Sequence, residues 1–304
     1  MKNPKMNHVR QICSLTRYTV VDGESKGLTF IDCHNGKLRF LLNESRALDV
    51  AQLYFEGENI SFISKNGITN KSVPFANRFE GGMLYTCGLD CVGEIEGRET
   101  HGTLHLTPAV VTRMECDESG ILVEGFLRDS ALFGKHLVVK RKIYSAAGSD
   151  SVQIEDTLIN EGKKAEEYAL LYHVNLGYPF LYEGGKIEVN ASSVTPRTPW
   201  AKENLSGWET VSAPEDNREE TCYFLNMNEG CASYTPPEKD KRFTLSYSQN
   251  TLGEFIVWKS MASGDYALGL EPTTTQLDGG FRFSIIQAGE EKQFQVTLSM
   301  EKLK

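Results

Sequence analysis

Val152-Gln-Ile-Glu-Asp-Thr-Leu158 alternates residue by residue: Val152, Ile154, Asp156 and Leu158 fall on one side of an extended chain, Gln153, Glu155 and Thr157 on the other. A period of two marks a half-buried strand, and it recurs along the chain. Phe243, Leu245 and Tyr247 alternate with Arg242, Thr244 and Ser246, and residues 38–42, 121–127, 137–144 and 255–258 are further short β-rich runs. Residues 281–286 and 294–300 form two more, separated by 287–293, a spacing that predicts a terminal hairpin. Residues 45–55 fit either a short helix or an irregular strand, and no more than two helices are expected in all. The 27 glycines suit a chain broken into many short strands. Residues 198–220, the densest polar stretch, read as a long loop anchored by Trp200 and Trp208. No Pro/Ser-rich linker and no fixed-period repeat divides the sequence, so the expectation is one large antiparallel β domain over residues 1–304.

Composition narrows the function. At 304 residues, 40% apolar and 24% charged, the chain has material for a sizeable core and is neither disordered nor collagen-like. Its 32 basic and 41 acidic residues leave a net charge of -9, which offers no face for neutralising phosphates. Nucleic acid and anionic membrane are therefore not expected partners. Met1 to Arg10 carries two lysines but no apolar run behind them, so a secretory leader is not expected and a cytoplasmic location is. Tyr168 to Tyr182 is uncharged, yet it holds His173, Asn175, Gly177 and Pro179 and falls short of the roughly 20 apolar residues of a membrane span. The seven cysteines are odd in number and scattered, without a C-x-x-C pair, and read as reduced core residues.

Several motifs carry possible chemistry. Gly23-Glu-Ser-Lys-Gly27 has the G-x-S-x-G form of a nucleophile elbow, but the strand-like residues 28–32 follow it where a helix is required, so a turn is the better reading. His101 and His105 are four apart, which on a strand would put both imidazoles on one face. A metal site, a hydrogen-bonded pair, and a ligand contact through His101 all remain open. In Leu170-Leu-Tyr-His-Val-Asn-Leu-Gly-Tyr-Pro179, polar groups interrupt a buried-looking strand. Alternation points Tyr172 and Val174 one way and Leu171, His173 and Asn175 the other. His173 there is either a hydrogen-bonded core histidine or a functional one. Leu268-Gly-Leu-Glu-Pro-Thr-Thr274 sets Glu271 in an apolar segment, where burial would raise its pKa toward the range of a general base; an exposed carboxylate at a strand end is the plain alternative. Arg78, between Phe75 and Phe79, is either a ligand clamp or an ordinary snorkelling side chain.

Taken in order, Ala76-Asn-Arg78, His101-Gly102, Tyr172-His-Val-Asn175 and Gly269-Leu-Glu271 resemble the aldose 1-epimerase, or galactose mutarotase-like, superfamily. The closer resemblance is to its branch of uncharacterised aldose-epimerase-like proteins, which residues 81–89 and 171–179 match. The resemblance implies an all-β fold, a large antiparallel β-sandwich or supersandwich with few short helices, and an isomerase of carbohydrate metabolism that interconverts the α and β anomers of a free aldose. It implies His173 as the general acid at the ring oxygen and Glu271 as the general base at the anomeric hydroxyl. Asn77, Arg78 and His101 would bind sugar hydroxyls, with Asn175 in the same segment as the acid. The aspartate with which mutarotases grip the sugar has no matching motif here.

The chemistry suits these residues in its own right. Opening a hemiacetal needs one base and one acid, so neither metal nor organic cofactor is expected. An aromatic platform is expected for the sugar's apolar face, with Tyr172, Trp258, Phe79 and Tyr85 as candidates. The expected partner is a small-molecule sugar, bound by a monomer or a homodimer. A non-catalytic carbohydrate-binding or sugar-sensing protein on the same fold is the alternative.

Overall fold

A computed structural model describes residues 4–238 and 240–303; the first three residues of the N-terminal stretch lie outside that range. Five strands open the fold as a meander: β1 (Ser14–Thr19), β2 (Thr29–His34), β3 (Leu38–Asn43), β4 (Asp49–Phe55) and the short β5 (Glu58–Asn59), each antiparallel to the next. Residues 45–55 thus resolve in favour of the strand. The turn at Gly23 to Gly27 sits between β1 and β2, with Ser25 donating its hydroxyl to the Ile68 carbonyl, as a structural serine would.

β6 (Leu84–Leu89) begins the large sheet. It continues through β7 (Val110–Asp117), β8 (Gly120–Ser130), β9 (His136–Ala146), β10 (Ser151–Asn160), β11 (Glu166–Gly177), β12 (Lys186–Pro196), β13 (Thr221–Thr235), β14 (Lys241–Tyr247), β15 (Glu254–Ala262), β16 (Asp265–Thr273), β17 (Ser284–Ile286) and β18 (Glu291–Lys302). These thirteen strands form one antiparallel sheet, in which β11, β16, β15 and β13 lie side by side. The core joins both sheets: Cys33, Phe40 and Leu53 of the small one share a cluster with Ile154, Val174 and Leu298 of the large one. The architecture is an all-β sandwich.

The alternation in β10 is realised, with Val152, Ile154, Asp156 and Leu158 buried. Asp156 is the polar member of that face because the wholly buried Arg141 of β9 chelates it, Nε to Oδ1 at 2.8 Å and Nη2 to Oδ2 at 2.7 Å. The same guanidinium reaches Asp49 of β4 at 2.6 Å and Thr86 of β6 at 3.0 Å. The two sheets are thus tied by a hydrogen-bonded ionic network as well as by apolar packing.

Two expectations give way. β17 and β18 do not form a hairpin: β17 pairs with β11, while β18 lies between β10 and β14. The connecting turn is compatible with a hairpin, but Phe294, Val296 and Leu298 find their burial in the middle of the large sheet. His101 and His105 do not share a strand either, because Leu104–Leu106 is a 3-10 turn. Residues 198–220 carry the single α-helix among the described residues, Pro199–Glu203, with the Thr198 hydroxyl accepting from the Ala201 N–H as its cap. All seven cysteines are free, five of them buried. No helix among the described residues is long and apolar enough to cross a membrane.

Candidate active site

Register across four neighbouring strands builds the floor of a cavity of about 440 Å³. Asn175 of β11, Gly269 of β16, Trp258 of β15 and Cys222 of β13 stand in one cross-strand row. By the two-residue period, His173 and Glu271 lie next to that row on the same face as Asn175 and Gly269. His173 Nε2 and Glu271 Oε1 approach to 3.3 Å although they are 98 positions apart in sequence. Gly269 makes this meeting possible, because a Cβ there would lie 2.4 Å from Glu271 Oε1 and 3.2 Å from His173 Cε1.

Both groups are almost removed from water, at 6% and 3% exposure, and both face the cavity. His173 is therefore not a saturated core histidine: its Nδ1 and Glu271 Oε1 lack hydrogen-bond partners in the protein. Burial first, then the neighbouring His101, pushes the His173 imidazole down to about 3, against a contact with Asn175 that acts the other way. Burial, followed by the charge of Glu220, raises Glu271 well above the usual carboxylate range, with Arg197 opposing. Both shifts disfavour the charged forms, the imidazolium of His173 and the carboxylate of Glu271.

His101 enters from a loop at φ 62°, a left-handed conformation uncommon outside glycine. Two backbone hydrogen bonds hold it: its N–H donates to Gly93 O at 2.7 Å, and its carbonyl accepts from the Gly88 N–H at 2.9 Å. The cost of such a conformation is characteristic of functional positions. The ring lies 5.8 Å from that of His173, and burial with the Arg197 charge lowers its pKa to about 4. His105 turns away, stacks on Tyr85 at 4.3 Å between ring centroids, and is depressed to about 2 by burial. Among the described residues no three His, Cys, Asp or Glu side chains converge as a metal would need.

Phe62, Phe75, Phe79 and Trp258 give the cavity its aromatic walls. Trp258 is fixed by donating Nε1–H to Glu220 Oε2 at 2.7 Å, and its ring meets His173 edge-on at 5.4 Å. His101, His173, Trp258 and Glu271 therefore come together. Five other sequence-derived candidates do not line the cavity. Tyr172 points to the opposite face, as alternation requires, and donates its hydroxyl to Asp156 at 2.7 Å. Asn175 is wholly buried beside the floor, its amide donating to the Gly82 and His173 carbonyls. Asn77 is exposed at the end of the 3-10 turn Phe75–Asn77, which presents Phe75 and Ala76 to the cavity instead. Arg78 folds back beneath that turn, with Nη2 on Glu99 Oε1 at 2.7 Å and Nη1 on the Val73 carbonyl. Tyr85 stands behind Phe79, edge-on at 5.0 Å.

Sequence reading missed Arg197, Glu220, Cys222 and Asp265, all of which line the cavity. Arg197, just past the end of β12, is drawn in by its N–H to the Cys222 carbonyl at 2.9 Å. Asp265 pairs with Lys65 at 2.6 Å at the rim. Nothing local marks these residues, since each is an ordinary polar side chain at a strand end or in a loop.

The family model described as "Domain of unknown function (DUF4432)" matches residues 25–300. None of the curated proteins matches the sequence. Among solved structures, the chain is similar to a protein from Klebsiella pneumoniae provisionally described as an aldose 1-epimerase, with a TM-score of 0.87 at 21% identity, covering 95% of this chain and 83% of that one. It is also similar to a galactose mutarotase-like protein from Clostridium acetobutylicum, with a TM-score of 0.69 at 13% identity over 96% of this chain and 100% of the other. Another galactose mutarotase-like protein, from Lactobacillus casei, gives 0.65 at 14% over 90% and 100%. At these identities the likeness is one of fold.

Proposed function

The chain belongs to the DUF4432 family, and on its mutarotase-like sandwich we propose that it acts as an aldose 1-epimerase, interconverting the anomers of a free aldose. One observation carries this reading. His173 Nε2 and Glu271 Oε1 lie 3.3 Å apart on the floor of an aromatic-walled cavity, and both are almost fully removed from water.

Mutarotation needs one acid and one base within reach of O1 and the ring oxygen of a bound sugar. One member of the pair takes the proton from O1 while the other gives a proton to the ring oxygen; the C1 to ring-oxygen bond breaks and C1=O1 forms. Rotation about C1–C2 and reclosure return both protons. In one tautomer Glu271 is the base and His173 the acid, the roles implied by family resemblance. In the other, favoured by burial, the roles are exchanged. Because the reaction runs both ways, either protonation state of the pair supplies one acid and one base. Trp258 and Phe79 offer π-faces to the sugar's C–H surface, and His101 offers a ring nitrogen to a hydroxyl.

Saturation-transfer NMR over a panel of hexoses, pentoses and deoxy sugars tests the proposal. The wild type should exchange the anomers of at least one sugar, and Glu271→Gln should lose about 10²- to 10⁴-fold in rate while still binding it. Absence of exchange with every sugar, or full activity in Glu271→Gln, would overturn it.

A further inference from the structure

Arg197 is absent from the roles assigned above, yet it is the one guanidinium lining the cavity among the described residues. An ion pair orients it. Asp278, from the 3-10 turn Asp278–Gly280, accepts from Nε at 2.6 Å and from Nη2 at 2.8 Å, a bidentate pair joining segments 81 positions apart. The backbone bond to Cys222 holds the other end. The rest of the guanidinium lies against Cys222 and the cavity, close enough for its charge to act on both His101 and Glu271.

The charges around it limit what it can recognise. Asp278 neutralises Arg197, and Glu220 stands nearby. Lys65, the other cation of the lining, is paired with Asp265 at 2.6 Å. Each cavity cation thus already has a carboxylate, and Glu220 adds a further acidic group. An anionic sugar would meet no uncompensated positive charge. A hydroxyl, in contrast, can accept a hydrogen bond from a guanidinium whose charge is balanced, and the locked planar fork makes that bond directional.

We propose that Arg197, locked by Asp278, is a sugar-binding residue that donates to a substrate hydroxyl and makes this cavity select uncharged aldoses over sugar phosphates and uronic acids. This rests on the reading of the cavity as the sugar site of the proposed function, and names the class of sugar it takes.

The test pairs glucose and galactose with their uronic acids and 6-phosphates, measuring exchange by NMR and binding by calorimetry. The wild type should bind an uncharged sugar at least tenfold better than its anionic counterparts. Arg197→Met should raise KM for the uncharged sugar roughly 10- to 100-fold, the range expected for losing a charge-assisted hydrogen bond, with kcat within about threefold. Arg197→Lys, which keeps the charge but loses the fork, should recover only part of that affinity. Asp278→Asn, which leaves the guanidinium uncompensated, should narrow the preference for uncharged sugars. The inference is overturned if the wild type prefers the anions, if Arg197→Met leaves KM unchanged, or if Asp278→Asn does not alter the charge preference. Sugar binding without exchange would refute the enzymatic reading and leave this one standing; binding of neither class would refute both.

Discussion

Replacing Gly269 by alanine adds one methyl group at the point where the proposed acid and base meet. The new Cβ would lie 2.4 Å from Glu271 Oε1, 3.2 Å from His173 Cε1 and 3.2 Å from Trp258 Cε3, whereas ordinary contact begins near 3.4 Å. The carboxylate oxygen must therefore retreat by about 1 Å, the difference between 3.4 and 2.4 Å. For the fold this is mild. Overpacking costs about 1 to 3 kcal/mol, and removing a glycine from a strand interior returns roughly 0.5 to 1 kcal/mol, so the net loss is about 2.5 kcal/mol or less. For the chemistry it is severe, because that oxygen is the one 3.3 Å from His173 Nε2, and a displacement of about 1 Å in a reacting group costs on the order of 100-fold in rate. Gly269→Ala should thus lower kcat by about two orders of magnitude while thermal unfolding still shows one cooperative transition shifted by a few degrees. Anomer exchange by saturation-transfer NMR and differential scanning calorimetry read the two effects separately. If Gly269→Ala kept kcat within threefold of wild type, the contact between Glu271 and His173 would not be the catalytic one.

Other expected outcomes follow from the same geometry. The pH profile of kcat/KM should fall on the acid side only near 3 to 4, where His173 and His101 take up protons, and on the alkaline side as Glu271, whose pKa burial raises, loses its proton. Activity disappearing below pH 6 would show that a group outside this pair controls turnover. Arg78→Ala should leave KM within about twofold, since the guanidinium is engaged by Glu99 and the Val73 carbonyl; a large rise in KM would bring Arg78 back into the site. Arg141→Met should destabilise the fold by about 3 to 5 kcal/mol in chemical denaturation, because it leaves Asp49 and Asp156 buried without their cation, and a loss under 1 kcal/mol would mean that the network does not tie the sheets.

Local physics made much of this protein legible in its sequence. The two-residue period of residues 152–158 fixed β10 and its buried face, and the same rule applied to Tyr172 and His173 already separates them onto opposite faces of β11. His173 and Glu271 stood out because a polar group in an apolar strand must find a partner or a function. What the sequence could not contain is which distant strand lies beside which. The terminal hairpin failed on that point: the turn permits it, but burial of Phe294 and Val296 between β10 and β14 outweighs the local pairing. Gly269 reads as a weak spot in a strand until β11 and β15 are placed on either side of it, when it becomes the space in which the acid and base meet. Arg197 and Asp278, each unremarkable alone, become a fixed fork only once β12 and the turn after β16 arrive at the same wall. Side-chain parity is set by the backbone within a few residues, whereas a cavity is set by register between strands far apart in the chain, and only the packed sheet decides that register.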